Sequence, residues 1–361
     1  MSGKPKIQEF KTLGKVVTRI RDDLNNHNYV LMFAYNGTGK TRLSMEFKEA
    51  GKKKAGKDTL YFNAFTEDLF YWHNDLQGDS ERYLNINSAS AFFSGFKELA
   101  LEEKIFAFLE RYADFDFKID YEDWRVRFSR GDEQNIKVSR GEQNIFIWCI
   151  YLAICELVID GHESYSWVKN LYIDDPISSL DDNKAIAVAS DLAQILKKGK
   201  GKVKAVVSTH HGLFFNVMYN ELKNHSTKTH FYHRANNSEI YTLRSTDETP
   251  FFHHVATLSE LRRAVEADQI YTYHFNVLRS IMEKTAIFFG LKGFSNCIHG
   301  LEDEVLYTRA LNLLSHGKYS IYEPHEMVDD TKDLFKKIYS AFLERYRFEL
   351  PELTHQQEPQ K

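Results

Sequence analysis

The chain has 361 residues, 43% of them hydrophobic and 14% aromatic, enough for one large or two moderate cores and too apolar for disorder over most of its length. A net charge of −4 excludes a globally basic nucleic-acid binder and confines any such surface to a local patch. Three cysteines without paired or metal spacing (Cys149, Cys155, Cys297), a polar opening stretch and no apolar run near membrane-span length predict a cytoplasmic protein with no disulfide framework and no membrane partner.

Residues 7–25 read as an amphipathic helix with Leu13, Val16, Val17, Ile20 and Leu24 on one face. A short apolar strand at 28–33 runs into Ala34-Tyr35-Asn36-Gly37-Thr38-Gly39-Lys40-Thr41, and 41–50 begins a helix. Residues 59–63 form a further strand, and 88–113 read as mostly helical. Phe115, Phe117 and Ile119 alternate with polar residues, as do Val126 and Phe128, which predicts antiparallel strands. Gly141 opens a buried helix through Ile145, Ile150, Ile154 and Leu157. The unbroken apolar runs 168–173 and 203–208 suit central parallel strands covered on both faces. Strand-like alternation ends near 241–252, where 244–250 is polar and turn-prone. Beyond it, 257–290, 301–314 and 327–345 carry helical periodicity, and 354–361 reads as a disordered tail. The division is therefore an α/β domain over 1–243, a linking segment 244–256 and a smaller all-α domain over 257–353.

Strand, glycine loop and helix in that order are the context of a phosphate loop. Gly37, Gly39, Lys40 and Thr41 match the end of G-x-x-x-x-G-K-[ST], with Ala34 in the place of the first glycine. Small residues let backbone N–H groups wrap a phosphate, Lys40 reaches the β- and γ-phosphates, and the Thr41 hydroxyl coordinates Mg²⁺. Asp174 ends an apolar strand, where a carboxylate can hold the Mg²⁺ shell. Asp175 follows it, one methylene shorter than the Glu that related ATPases use to polarise water. Ser139 and Gly141 stand at a helix entrance that can grip a γ-phosphate, and His210 follows the 203–208 strand. Singly, these features read as a glycine turn, an N-cap pair and a structural histidine; it is their order that carries the nucleotide site.

The chain resembles an ABC-type ATPase in Val138-Ser139-Arg140-Gly141-Glu142-Gln143, Ser178-Ser179-Leu180-Asp181 and His210. The wording Ile173-Asp174-Asp175-Pro176-Ile177-Ser178-Ser179-Leu180-Asp181 is similar to the soluble, defence-related branch. The resemblance implies ATP or GTP with Mg²⁺, held by Asn36, Gly37, Gly39, Lys40 and Thr41. It also implies a head-to-tail homodimer or higher oligomer in which Ser139, Gly141, Glu142 and Asp181 complete the partner's site, with Asp175 and His210 serving hydrolysis. The span 66–132 is too short for the long coiled coil of DNA-repair relatives.

A second constellation lies in the C-terminal third. Arg279 and Glu283 are four apart on a predicted helix and share a face, and His316 ends a later helix. Each alone reads as a surface ion pair or a dipole-satisfying histidine. Together they can form a metal-free ribonuclease site, with Glu283 and His316 as proton carriers and Arg279 neutralising phosphoryl charge. This arrangement resembles the PrrC and RloC anticodon nucleases, and is closest to the shorter PrrC-like type. The resemblance implies a tRNA anticodon loop as substrate, with lysine tRNA the expectation and Asp247 the candidate base-reading residue. It further implies 2′,3′-cyclic phosphate and 5′-OH ends, a role in antiphage defence, a type I restriction–modification partner and a phage-derived activator. The competing reading is an ATPase sensor or scaffold that controls a separate effector.

Overall fold

The computed structural model describes residues 7–63, 69–74, 82–93, 96, 101–176, 182–234, 240–247, 253–299, 303–315 and 326–346. The chain divides into two compact units, Met1–Pro250 and Phe251–Lys361. In chain order the first holds β1 (Ile7–Phe10), α1 (Leu13–Asn26), β2 (Tyr29–Phe33), α2 (Lys40–Ala55), β3 (Thr59–Asn63), β4 (Phe70–Asn74), β5 (Arg82–Ile86), α3 (Glu102–Leu109), β6 (Asp116–Asp120), β7 (Arg125–Arg130), β8 (Glu133–Gln134), α4 (Arg140–Asp160), β9 (Asn170–Asp174), α5 (Asp182–Lys198), β10 (Lys204–Thr209), α6 (Gly212–Leu222), β11 (Thr227–Arg234) and β12 (Tyr241–Ser245). The second holds α7 (His253–Glu266), α8 (Thr272–Phe288), α9 (Glu304–Ser315) and α10 (Asp329–Arg345).

The main sheet runs β1-β12-β11-β2-β10-β9-β3. Its β11-β2-β10-β9-β3 portion is parallel, and an antiparallel pair, β12 and β1, closes one side. Every residue of β2 is buried, as the unbroken apolar run requires of a strand covered on both faces. α1 and α2 cover one face through Val16, Val17, Ile20, Leu43 and Phe47, which pack with Val30, Met32, Tyr172 and Val206. A second, antiparallel sheet runs β4-β5-β7-β6, with β8 beside β7. Its alternation is period two: Val126 and Phe128 are buried, while Arg125 and Arg127 face outward. Phe117 and Phe128 meet Phe146 of α4 with ring centroids 4.9 and 5.0 Å apart.

Five sequence expectations are corrected by these elements. Residues 7–10 form an edge strand, because Thr12 caps α1 and so starts the helix at Leu13, leaving Ile7–Phe10 to pair with β12. Within 88–113, the described helix is limited to a 3₁₀ turn, Ala91–Phe93, and α3. Alternation ends within 241–252 as expected, but the linking segment 244–256 is trimmed at both ends, since β12 continues to Ser245 and α7 begins at His253. The periodic stretch 257–290 is two helices, because α7 ends at Glu266 and Asp268 turns the chain with φ 55°. Finally, α4 is a 21-residue helix long and apolar enough to cross a membrane, yet 78% of its most apolar window is buried inside the fold, which marks it as a core helix.

The helical unit has its own core. Leu258, Leu261, Phe275, Leu278, Met282, Leu311, Phe335 and Phe342 are all nearly inaccessible, so the amphipathic stripes of α7 to α10 meet one another.

Candidate functional site

β2 delivers the glycine loop at its carboxyl end. Gly37 and Gly39 sit at φ 82° and 90°, the left-handed region that favours glycine. A Cβ on Gly39 would also come to 3.7 Å from the Tyr232 hydroxyl. Ala34 has no positive φ, and its N–H donates to the Thr209 carbonyl at 3.0 Å, so alanine fits the first-glycine position without strain. No side chain caps the N-terminus of α2, which leaves its first N–H groups to a phosphate.

Lys40 is buried. Its Nζ donates to the carbonyls of Ala34 and Tyr35, both at 3.1 Å, and to Asn36 Oδ1 at 3.2 Å, and lies 3.6 Å from Asp175 Oδ2. Burial pulls its pKa down, partly offset by the charges of Asp175 and Asp174. Asp174 ends β9 at 2% exposure and accepts from Ser208 Oγ at 2.7 Å and Ser44 Oγ at 3.3 Å. Burial raises its pKa, against the Ser208 hydrogen bond and the Lys40 charge. A desolvated carboxyl beside the Thr41 hydroxyl is a good fit for Mg²⁺, which would stabilise the ionised form that burial disfavours.

Asp175 has φ 52°. Aspartate enters that left-handed region more readily than glutamate, which gives a backbone reason for the shorter acid at this position. Its carboxylate accepts from His210 Nδ1 at 2.5 Å, His210 N at 3.3 Å and Thr209 Oγ1 at 3.2 Å. Burial alone would raise its pKa; the His210 hydrogen bond and the Lys40 charge outweigh it and hold the carboxyl below its ordinary range. The structure thus joins Lys40, Asp174, Asp175 and His210 across the ends of three adjacent parallel strands. Such strand ends are where open α/β sheets place ligands.

Four residues of this network were not read from the sequence. Ser44 bridges the Thr41 carbonyl at 2.8 Å, the Tyr61 hydroxyl at 3.1 Å and Asp174. Asn63 donates to the Tyr61 hydroxyl at 3.1 Å and stands in register beside Asp174, while Ser208 supports Asp174 from β10. Burial and the Asp174 charge push the Tyr61 phenol up to about 12. The signal that could have found Asn63 is its place at the end of a strand flanking β9.

Ser139 is the N-cap of α4. Its Oγ accepts from Glu142 N at 3.2 Å, and the Glu142 carboxylate accepts from Ser139 N and from Arg130, both at 2.7 Å. Ser139 is exposed, and with Gly141 it marks a helix N-terminus that meets solvent in the single chain. Asp181 lies outside the described residues.

Asp247, the candidate base-reading residue, is held by a local hydrogen-bond network. It accepts from Thr229 N at 2.8 Å, Thr229 Oγ1 at 3.0 Å and Ser245 Oγ at 2.7 Å, and pairs with Lys228. Burial would raise its pKa, but Lys228 and Ser245 hold it below the ordinary carboxylate range. Both oxygens tie the end of β12 to β11.

In the helical unit, Arg279 Nε donates to Glu283 Oε1 at 2.8 Å across one turn of α8. The Arg279 side chain is only 19% exposed, against 45% for Glu283, and its guanidinium lies 5.0 Å from the centre of the Phe294 ring. His316 lies outside the described residues, one position past α9.

The glycine loop, the two strand-end carboxylates and the mixed sheet define a P-loop ATPase of the α/β class followed by a helical unit. The chain accordingly matches the AAA domain family over residues 97–343, more than half its length. Anticodon nuclease of Escherichia coli is 32% identical over 366 aligned residues, which cover 87% of this chain and 89% of the relative. The chain belongs to the anticodon nuclease family. Among solved structures, the SMC head bound to the C-winged helix domain of ScpA matches at 12% identity over 61% of this chain and 90% of that one. Its TM-score of 0.33 carries no argument.

Proposed function

We propose that this protein is a nucleotide-gated anticodon nuclease, a tRNA-cleaving toxin of antiphage defence. The observation that carries the reading is the Arg279–Glu283 pair. In a member of this family, a largely buried guanidinium stands beside a half-exposed carboxylate on one helix face. Cleavage needs no metal. Glu283 or His316 takes the ribose 2′-OH proton, the 2′-oxygen attacks the adjacent phosphorus, and the P–O5′ bond breaks. The other residue protonates the departing 5′-oxygen, which leaves a 2′,3′-cyclic phosphate and a 5′-OH. Arg279 neutralises charge growing on the phosphoryl oxygens. The unpaired anticodon loop suits such a site because its backbone can be splayed, and lysine tRNA is the proposed target.

The ATPase unit is the proposed gate. Asn36, Gly37, Gly39 and Lys40 would hold the phosphates of ATP or GTP, and Thr41 and Asp174 would hold Mg²⁺. A second subunit's Ser139 and Gly141, at a helix N-terminus, would face the terminal phosphate, with that subunit's Glu142 and Asp181 completing the site. Asp175 and His210 would then orient water for hydrolysis. A type I restriction–modification complex is the proposed silencing partner, with a phage-derived trigger.

Purified full-length protein incubated with total tRNA and ATP or GTP tests the reading. One site-specific nick with 2′,3′-cyclic phosphate and 5′-OH ends, reduced about 100-fold or more in Arg279→Ala, is expected from the loss of a transition-state charge partner. Intact tRNA under every nucleotide condition would favour the ATPase scaffold reading.

A further inference from the structure

An arginine paired i to i+4 with a glutamate on a helix surface usually samples many rotamers and contributes little. Arg279 is not in that position. Its Nε is bonded to Glu283 and its guanidinium carbon lies over the Phe294 ring, 5.0 Å from the centroid. We propose that Phe294 is a positioning residue that, with Glu283, holds the Arg279 guanidinium in one place where it can meet a phosphodiester. The inference rests on the reading of Arg279 as the phosphate-facing cation.

The turn that carries the ring is held from two directions. Phe294 opens the 3₁₀ turn Phe294–Ile298, in which Cys297 and Ile298 are fully buried. Cys297 Sγ donates to the Met282 carbonyl at 3.3 Å, one residue before Glu283, and so ties the turn to α8. From α10, Arg345 donates to the carbonyls of Cys297 at 3.3 Å, Asn296 at 3.4 Å and His299 at 2.5 Å. The turn therefore cannot shift without breaking contacts to both helices. A guanidinium binds a phosphoryl group through paired N–H bonds, so one held in place presents that fork more reliably than one that samples many rotamers. A ring beneath the cation favours that position and shields that side from water.

Cleavage kinetics of the full-length protein on tRNA test this. Phe294→Leu and Phe294→Met keep apolar volume and remove the ring. Each should lower kcat about tenfold with KM within about twofold, the worth of one desolvated cation–π contact expressed in the transition state. Phe294→Tyr should restore the rate, nucleotide hydrolysis should be unchanged, and circular dichroism should report a folded chain. Because Phe294 acts through Arg279, Phe294→Leu added to Arg279→Lys should lower cleavage no further than Arg279→Lys alone. Wild-type kcat in both folded Phe294 variants, or losses that multiply in the double variant, would overturn the proposal while leaving the nuclease reading intact. Wild-type cleavage by Arg279→Ala would instead overturn the underlying assignment of Arg279.

Discussion

The two candidate sites are built on opposite terms. At the strand ends, Lys40, Ser44, Asp174 and Ser208 are all buried, and each polar group answers another on a neighbouring strand or helix. On α8, the pair Arg279 and Glu283 lies within a single helical turn, half open to water, and gains definition from one aromatic ring. The buried network holds charges in a state that burial disfavours, as the raised carboxyl of Asp174 and the lowered ammonium of Lys40 indicate. A ligand that answers those buried charges can change the energy of the first site strongly.

That contrast can be broken by substitution. The largest effect is expected from Lys40→Ala, which removes the buried ammonium of the strand-end network and should weaken nucleotide binding about 100-fold. That corresponds to two charge-assisted hydrogen bonds of roughly 1.5 kcal/mol each, read by isothermal titration. Asp174→Asn sharpens the comparison by separating stability from function. Because burial raises this carboxyl's pKa, the folded state binds its proton more tightly than the unfolded chain does, and the ionised group weakens the fold at neutral pH. The amide should raise nucleotide-free stability by about 1 kcal/mol in thermal unfolding while abolishing the Mg²⁺-dependent nucleotide shift.

Asp247→Asn should cost about 1–2 kcal/mol, since it strips a carboxylate from three hydrogen-bond donors besides Lys228. The sign with pH is the reverse of Asp174. A depressed carboxyl contributes fully above its unfolded pKa of about 3.9 and loses that contribution as pH falls through its folded value. Acid titration of stability should therefore be flatter in the variant, and a changed choice of tRNA in that variant would support the base-reading role. The smallest effect is expected from Ser139→Ala: about 1 kcal/mol from the lost helix cap, seen in denaturant unfolding. If this helix end closes a partner's site, the variant also loses nucleotide-dependent dimerisation by ultracentrifugation.

The parts legible in sequence are those in which local chemistry and tertiary demand coincide. Gly37 and Gly39 supply the left-handed backbone that a tight phosphate loop needs, and β2, β9 and β10 are apolar because they are covered on both faces. Other parts were hidden because their reason is remote. Ile7–Phe10 is a strand only because β12, more than 200 residues later, offers it an edge. Asp247 looks like a polar loop residue until β11 brings Lys228 and Thr229 to it.

The sequence by itself therefore determined the nucleotide loop, the acid pair at the end of β9, the α/β-then-helical order and the i to i+4 spacing of Arg279 and Glu283. All follow from short-range geometry that any fold must respect. Only the tertiary structure decided that Asp175 faces His210, that Ser44, Tyr61, Asn63 and Ser208 support Asp174, and that Phe294 lies over Arg279. Those pairings join residues distant in the chain or on separate elements. Their register is set by strand pairing and helix packing, which no local window of sequence contains.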